Sequence, residues 1–224
     1  EDIYARLRSG ELPQTSLPSG QDITNALDTI AAEGYDGVIA VMLSGGLSGT
    51  YNLMRLMAED RQDLTIRVFD SVSGSLGMGL TLLQLAEDIR GGADWEELVG
   101  VRVPQLIANT FPFFSVDTLE YLQKGGRIGK VTATAGTLLQ IKPLLKGDPQ
   151  GKIVCFAKLR GRQRAIEAIA KRYEELVRDA QTQTVGIAHA DCAPDAQILA
   201  SLLRRSSCPP KQILLVDYEP VTGS

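Results

Sequence analysis

Seven consecutive residues, Ser44-Gly45-Gly46-Leu47-Ser48-Gly49-Thr50, bring together three hydroxyls and three glycines. The apolar run ahead of them, from Asp36 to Leu43, has the character of a buried parallel strand. Leu53, Met54, Leu56 and Met57 beyond them repeat at helical spacing. The segment therefore joins the carboxyl end of a strand to the start of a helix, where open α/β sheets bind ligands. Its glycines let the backbone approach a ligand. The N–H groups of a first helical turn lack intrahelical partners, and the helix dipole favours an anion there. Ser44, Ser48 and Thr50 add neutral donors. Such a set suits one carboxylate or phosphate held without a cationic side chain. The plainer alternative is a glycine-rich turn in which Ser48 or Thr50 caps the helix.

Other chemistry has less to work with. A serine nucleophile at Ser48 needs a base, and the chain has a single histidine, His189, with Asp191 nearby to orient it. The second glycine of a G-x-S-x-G elbow is missing around Ser48, but a hydrolase or acyltransferase using Ser48 and His189 stands as the alternative reading. His189 and Cys192 are the nearest approach to a metal pair, and no metal is expected. A nucleotide P-loop motif is absent, and Gly74-Ser75-Leu76-Gly77-Met78-Gly79 has its glycines in the wrong order for a dinucleotide fingerprint. Thr15 and Ser16 precede the first strong helical pattern and are turn residues or further hydroxyls for the Ser48 pocket. Lys124-Gly125-Gly126-Arg127-Ile128-Gly129-Lys130 gathers three cations in a turn, either solvated or a contact for an acidic surface, Arg127 being capable of bidentate pairing.

Composition narrows the classes further. Of 224 residues, 23 are Lys or Arg and 27 Asp or Glu, a formal net charge of −4 without basic blocks, so nucleic-acid binding is not expected. No apolar run reaches the roughly 18–20 residues of a membrane span. Three widely spaced cysteines suit a reducing cytoplasm better than a disulfide framework.

The elements that position these residues alternate strand and helix, which implies an α/β fold with a mostly parallel N-terminal sheet and flanking helices. Helices are expected over 21–33, after Thr50 and over 80–89, with strands over 36–43 and 66–69. Gly100 and Pro104 argue against one straight helix over 94–108. After Asn109 the chain turns aromatic and β-like over 110–116, and Asp117 is placed to cap a short helix over 118–123. A strand over 152–157, a helix through Ala165, Ile166, Ile169 and Tyr173, a strand over 184–188, a helix over 195–204 and a strand over 213–217 complete a C-terminal α/β domain. The expected division is 1–110 and 111–224.

These segments in this order resemble the DegV family of bacterial fatty-acid-binding proteins. The matching stretches are Thr15-Ser16-Leu17-Pro18-Ser19, Ser44 to Tyr51, Phe69-Asp70-Ser71, Val116 to Ile128, Ile141-Lys142-Pro143-Leu144-Leu145 and Arg160-Gly161-Arg162. Leu17 stands where the family pattern has Gln, and Ser44-Gly45-Gly46 where it often reads Ser-Ser-Gly. The pattern also has a first strand with a Thr-Asp-Ser motif ahead of Glu1 and a histidine-containing Gly-Pro-Gly segment after Thr222-Gly223. The first βα unit and the C-terminal segment are therefore expected to be missing from a fold cut short at both ends.

The resemblance implies a two-domain protein with one fatty acid between its domains and no further cofactor. Its carboxylate would be held by Thr15 or Ser16 with Ser48, Gly49 and Thr50, and Ser44 and Ser71 would be additional pocket residues. It further implies a non-catalytic binding subunit that presents the acid to a separate fatty acid kinase subunit, through Lys124 and Arg127, with at most transient membrane contact. The tunnel would draw on apolar residues of helices at 53–57, 80–89 and 138–145. Burial of an acyl chain gains about 0.8 kcal/mol per CH₂, whereas the carboxylate needs charge-assisted hydrogen bonds.

Overall fold

A computed structural model describes residues 3–129, 140–177, 179 and 182–218. Contacts divide the chain into two compact units. One comprises Ser16–Phe111 with Pro149–Lys152, and the other comprises Glu1–Thr15, Pro112–Asp148 and Ile153–Ser224. This grouping differs from a single cut after residue 110 at residue 111 and at two short stretches, 1–15 and 149–152.

In the Ser16–Phe111 unit, strands β1 (Gly37–Met42) and β2 (Thr65–Asp70) pair in parallel, from Gly37 opposite Thr65 to Met42 opposite Asp70. Side chains alternate across this sheet. Val38, Ala40 and Met42 join a core with Ile23, Leu27, Met54 and Leu64, beneath helices α2 (Gly20–Ala32) and α3 (Thr50–Glu59). Ile39, Val41 and Phe69 face the opposite core, with Leu85, Leu98 and Val103. That face is covered by α4 (Leu76–Arg90) and by a helical stretch of α5 (Trp95–Glu97), a π-helical turn at Leu98–Arg102 and α6 (Val103–Ala108). The π turn sits just ahead of Pro104, so the expected break is absorbed by a wider turn and not by an end of the helix. A capping box starts α2. The Ser19 hydroxyl accepts from the Asp22 N–H (3.1 Å), and the Ser19 N–H donates to the Asp22 carboxylate (3.0 Å). The Ser19 hydroxyl, which also lies 2.7 Å from the Asp22 carboxylate, and then the Ser19 N–H hold the Asp22 carboxyl below its usual range.

The expected helix over 80–89 begins four residues earlier, at Leu76. Gly77 and Gly79 read as loop in sequence, yet Ser73 packs so closely on Gly77 that a Cβ there would lie 2.0 Å from Ser73 Oγ.

In the other unit, α1 (Ile3–Arg8) is tied down by Tyr4, whose hydroxyl donates to the Tyr218 carbonyl (2.6 Å). Strands β3 (Phe113–Ser115), β4 (Ile141–Gly147) and β5 (Ile153–Arg160) form an antiparallel sheet. Residues 141–145 are thus strand, which corrects the helix expected over 138–145; positions 138 and 139 lie outside the described residues. Pro143 is what disguises it. It lies one residue past the β3 pairing, which covers only Leu144–Lys146, so the residue without an N–H has a strand neighbour on one side alone. Asp117 does not cap the short helix α7 (Glu120–Lys124); Thr118 Oγ1 accepts the Glu120 N–H instead. Asp117 pairs with Lys142 and Arg162, both at 2.7 Å. Strands β6 (Thr184–His189) and β7 (Gln212–Asp217) pair in parallel, and α8 (Arg162–Leu176) and α9 (Ala193–Arg204) pack on them through Tyr173, Ile187, Ala196, Ala200 and Leu203. Among the described residues no helix is long and apolar enough to cross a membrane.

Candidate functional site

The carboxyl ends of β1 and β2 each lead through a short loop into a helix, and the two loops are bonded together. The Ser44 N–H donates to the Ser73 carbonyl (2.8 Å) and the Ser71 N–H to the Met42 carbonyl (3.0 Å). Within the first loop the N–H groups of Leu47 and Ser48 both reach the Ser44 carbonyl at 3.0 Å, making a tight turn. Ser44 is fully buried, and its hydroxyl donates to the Gly151 carbonyl (3.1 Å) while accepting from the Gly46 N–H (3.2 Å). Gly46 and Gly151 are glycine for want of space. A Cβ on Gly46 would lie 2.4 Å from the Gln150 carbonyl, and one on Gly151, already at φ +71°, would lie 1.9 Å from Ser44 Oγ.

Ser48 and Thr50 end the loop in a different state. Both are part-exposed, and their hydroxyls lie 2.8 Å apart. The Thr50 N–H also points to Ser48 Oγ (3.3 Å). Gly49 is the N-cap of α3 and supplies no side-chain cap, so the first-turn N–H groups remain oriented outward. Leu17 packs over Gly49, where a Cβ would meet Leu17 Cδ1 at 3.3 Å, and this brings the exposed Ser16 segment alongside the loop. Thr15 is exposed and is grouped with the other unit. Ser71 is buried, and its hydroxyl donates to the Ser73 carbonyl (3.0 Å). Residues 43–54 contain no charged side chain.

Asp70, which sequence reasoning quoted only as part of a motif, supplies the charge beside this loop. Its Oδ2 accepts the Gly45 N–H (3.0 Å) and its Oδ1 the Val72 N–H (2.8 Å), so one carboxylate fastens both strand-to-helix loops. Val72 has φ +52° and Ser75 φ +47°. For a β-branched residue this is strained backbone, held by the surrounding bonds. The sequence signals for Asp70 are its place in the Phe69-Asp70-Ser71 motif and directly after the strand expected over 66–69, at what is the last position of β2.

The remaining expected residues lie elsewhere. Lys124 pairs with Glu120 (2.5 Å), and Arg127 Nη1 donates to the Gly125 carbonyl (2.7 Å). His189 is buried at the end of β6, with Nδ1 3.4 Å from Asp217 Oδ1. Ser48 belongs to the Ser16–Phe111 unit and His189 to the other. The hydroxyl beside Ser48 is that of Thr50. Among the described residues no group of three or more His, Cys, Asp or Glu is gathered as a metal site would need.

Comparison with known proteins bears on this geometry. A family profile described as "Uncharacterised protein, DegV family" matches residues 1–224. A DegV domain-containing protein of Clostridium perfringens is 38% identical over 169 residues, which are 75% of this chain but 59% of that protein, so the match spans less than two thirds of the relative's length. A fatty acid binding DegV family protein from Streptococcus agalactiae superposes with a TM-score of 0.86 at 28% identity, covering 98% of this chain and 77% of that one. A DegV family protein from Ruminococcus gnavus, solved with vaccenic acid, superposes with a TM-score of 0.82 at 30% identity, covering 94% and 76%.

Proposed function

The chain belongs to the DegV family, and on that premise we propose that it binds one long-chain fatty acid by its carboxylate at the start of α3. Ser48 and Thr50 offer hydroxyl donors, the first-turn amides of α3 offer N–H groups, and Ser16 or Thr15 completes the set. The observation that carries this reading is the pair of part-exposed hydroxyls 2.8 Å apart at a helix start whose N-cap residue, Gly49, supplies no side chain, in a stretch free of cationic side chains. A carboxylate loses too much hydration to be held by apolar groups, and neutral donors with a helix dipole replace that hydration. Ser44 and Ser71, whose hydroxyls are engaged with Gly151 and Ser73, shape the loop from behind. The relatives solved with vaccenic acid or described as fatty acid binding support the ligand class.

The same reading includes delivery. The acid is presented to a separate fatty acid kinase subunit, and the turn carrying Lys124 and Arg127 is the contact for that partner. A site without a cationic side chain leaves a carboxylate oxygen available to a phosphoryl donor. Native mass spectrometry of the purified protein tests the binding. A retained C14–C18 acid is the expected result, and a chain that neither retains nor takes up such an acid would refute the proposal. The delivery step is tested with Arg127→Ala, which should keep lipid binding and slow kinase-dependent phosphorylation; an unaltered rate removes Arg127 from the contact.

A further inference from the structure

α1 has six residues, too few for a helix to persist by its own hydrogen bonds, and none of them is buried. Polar contacts fix it instead, at the carboxyl ends of β6 and β7. The Tyr4 hydroxyl donates to the Tyr218 carbonyl (2.6 Å), and the Tyr218 N–H donates in turn to the carbonyl of His189 (2.7 Å), the last residue of β6. Arg8 pairs with Asp191 (2.5 Å), which follows β6 in the left-handed conformation that aspartate tolerates. Beyond Arg8 the helix closes in a Schellman motif. The Gly10 N–H donates to the Leu7 carbonyl (3.0 Å) and the Glu11 N–H to the Arg6 carbonyl (3.1 Å), with Gly10 at φ +91°. Arg6 also pairs with Glu11 (2.6 Å). The chain is thus held as far as Glu11. Only Leu12, Pro13 and Gln14 then separate it from Thr15, which stays within about 13–14 Å of a fixed residue. Pro13 stiffens that link by fixing its own φ and keeping Leu12 extended.

We infer that Tyr4 and Arg8 are positioning residues for fatty-acid binding, acting through Thr15. This deepens the proposed function and rests on it. Of the two hydroxyls offered there to complete the carboxylate's donor set, Thr15 is the last residue grouped with the unit that carries α1, whereas Ser16 belongs to the other. Ser16 is held from its own side, by Leu17 over Gly49 and by the Ser19 capping box. Thr15 is exposed and takes its place from the segment before it. With α1 docked, the Thr15 hydroxyl is kept near one position before the acid arrives. With α1 loose, binding must first order the segment, and affinity falls with the docked fraction. The two anchors are unequal. The Tyr4 bond is part-buried, whereas the Arg8 and Asp191 side chains are 60% and 56% exposed, where an ion pair contributes little. Tyr4 is therefore the main anchor and Arg8 the lesser one.

The test is a titration with hexadecanoic acid in two backgrounds, wild type and Thr15→Val. Removing both anchors, with Tyr4→Phe and Arg8→Gln together, should weaken binding to the wild-type background by roughly tenfold, most of it from Tyr4→Phe. In the Thr15→Val background the same change should leave affinity within about twofold, since the residue it positions no longer has its hydroxyl. A merely structural role would weaken both backgrounds alike. That result, or an unchanged affinity in the wild-type background, overturns the role of α1 and leaves the fatty-acid reading standing. So does a Thr15→Val protein that binds the acid as tightly as wild type. Absence of acid binding by the wild type overturns both. Should the anchor variant fail to fold, Gly10→Ala takes its place. A Cβ there meets nothing within 4 Å, so the change strains only the turn between α1 and Thr15. The same comparison of backgrounds then decides.

Discussion

Two strand-to-helix loops of this protein share a design and differ in how they are held. The loop from β1 to α3 is fixed by close backbone approach, by neutral hydrogen bonds and by one carboxylate, Asp70 on the Gly45 N–H, with Gly46 and Gly151 in near contact with their neighbours and Ser44 bonded behind them. The loop from β6 to α9 is set among charges. Asp191 pairs with Arg8 at 2.5 Å, and Asp195 in the first turn of α9 pairs with Arg162, which also reaches Asp117. Each follows a parallel strand into a helix of ten or more residues, so topology alone would nominate both as anion sites. Local chemistry separates them. At the second, the first-turn Asp195 and the preceding Asp191 put negative charge at the helix start, whereas the first offers two hydroxyls and a helix start without an acidic residue.

The contrast can be broken in several ways. Gly151→Val should have the largest effect, because it adds a β-branched side chain at positive φ and drives it into Ser44. A loss of about 2–4 kcal/mol in urea unfolding is expected, and a loss within 0.5 kcal/mol would show that the loop is not held by this approach. Ser48→Ala should leave stability near wild type and weaken fatty-acid affinity by about 1–3 kcal/mol, as a carboxylate contact goes unmet. An unchanged titration would remove Ser48 from the site.

Asp117→Asn probes the charged unit. Lys142 above all, together with Arg162, holds the Asp117 carboxyl below its usual range. A depressed folded pKa gives stability that is complete above the unfolded value, roughly 4, and is lost as pH falls through the folded value. The side chain is 61% exposed, so screening limits the effect to about 0.5–1 kcal/mol at pH 7. The deficit of the variant should shrink in acid, and a deficit constant with pH would mean that packing, not charge, is at stake. His189→Asn should have the smallest effect, with fatty-acid affinity unaltered and no fluorophosphonate labelling of Ser48 in either protein. Labelling that depends on His189 would favour a hydrolase.

What could be read ahead of the structure follows from the range of the forces involved. β1, α2 and α8 announce themselves through apolar spacing, and α2 through a local cap as well, since what shapes them lies close by in sequence. β4 does not, because Pro143 is acceptable only where β3 stops, and that is decided by a pairing with residues 113–115. Asp117 has the residue type of a helix cap, but cations 25 and 45 positions away recruit it. The hydroxyl-rich loop was legible as an anion candidate. The separation of Ser44 from Ser48 was not, because the Ser44 partner lies 107 residues on, at Gly151. Asp70 was hidden for a related reason: its significance lies in two backbone N–H groups, which no residue type records.

The most direct measurement is a titration of ¹⁵N-labelled protein with hexadecanoic acid, followed by amide chemical shifts. The account predicts that the largest changes fall on Ser48, Gly49, Thr50 and the following first-turn amides of α3, with the amides of 189–195 unmoved. Shifts centred on 189–195, or no shifts at all, would contradict it.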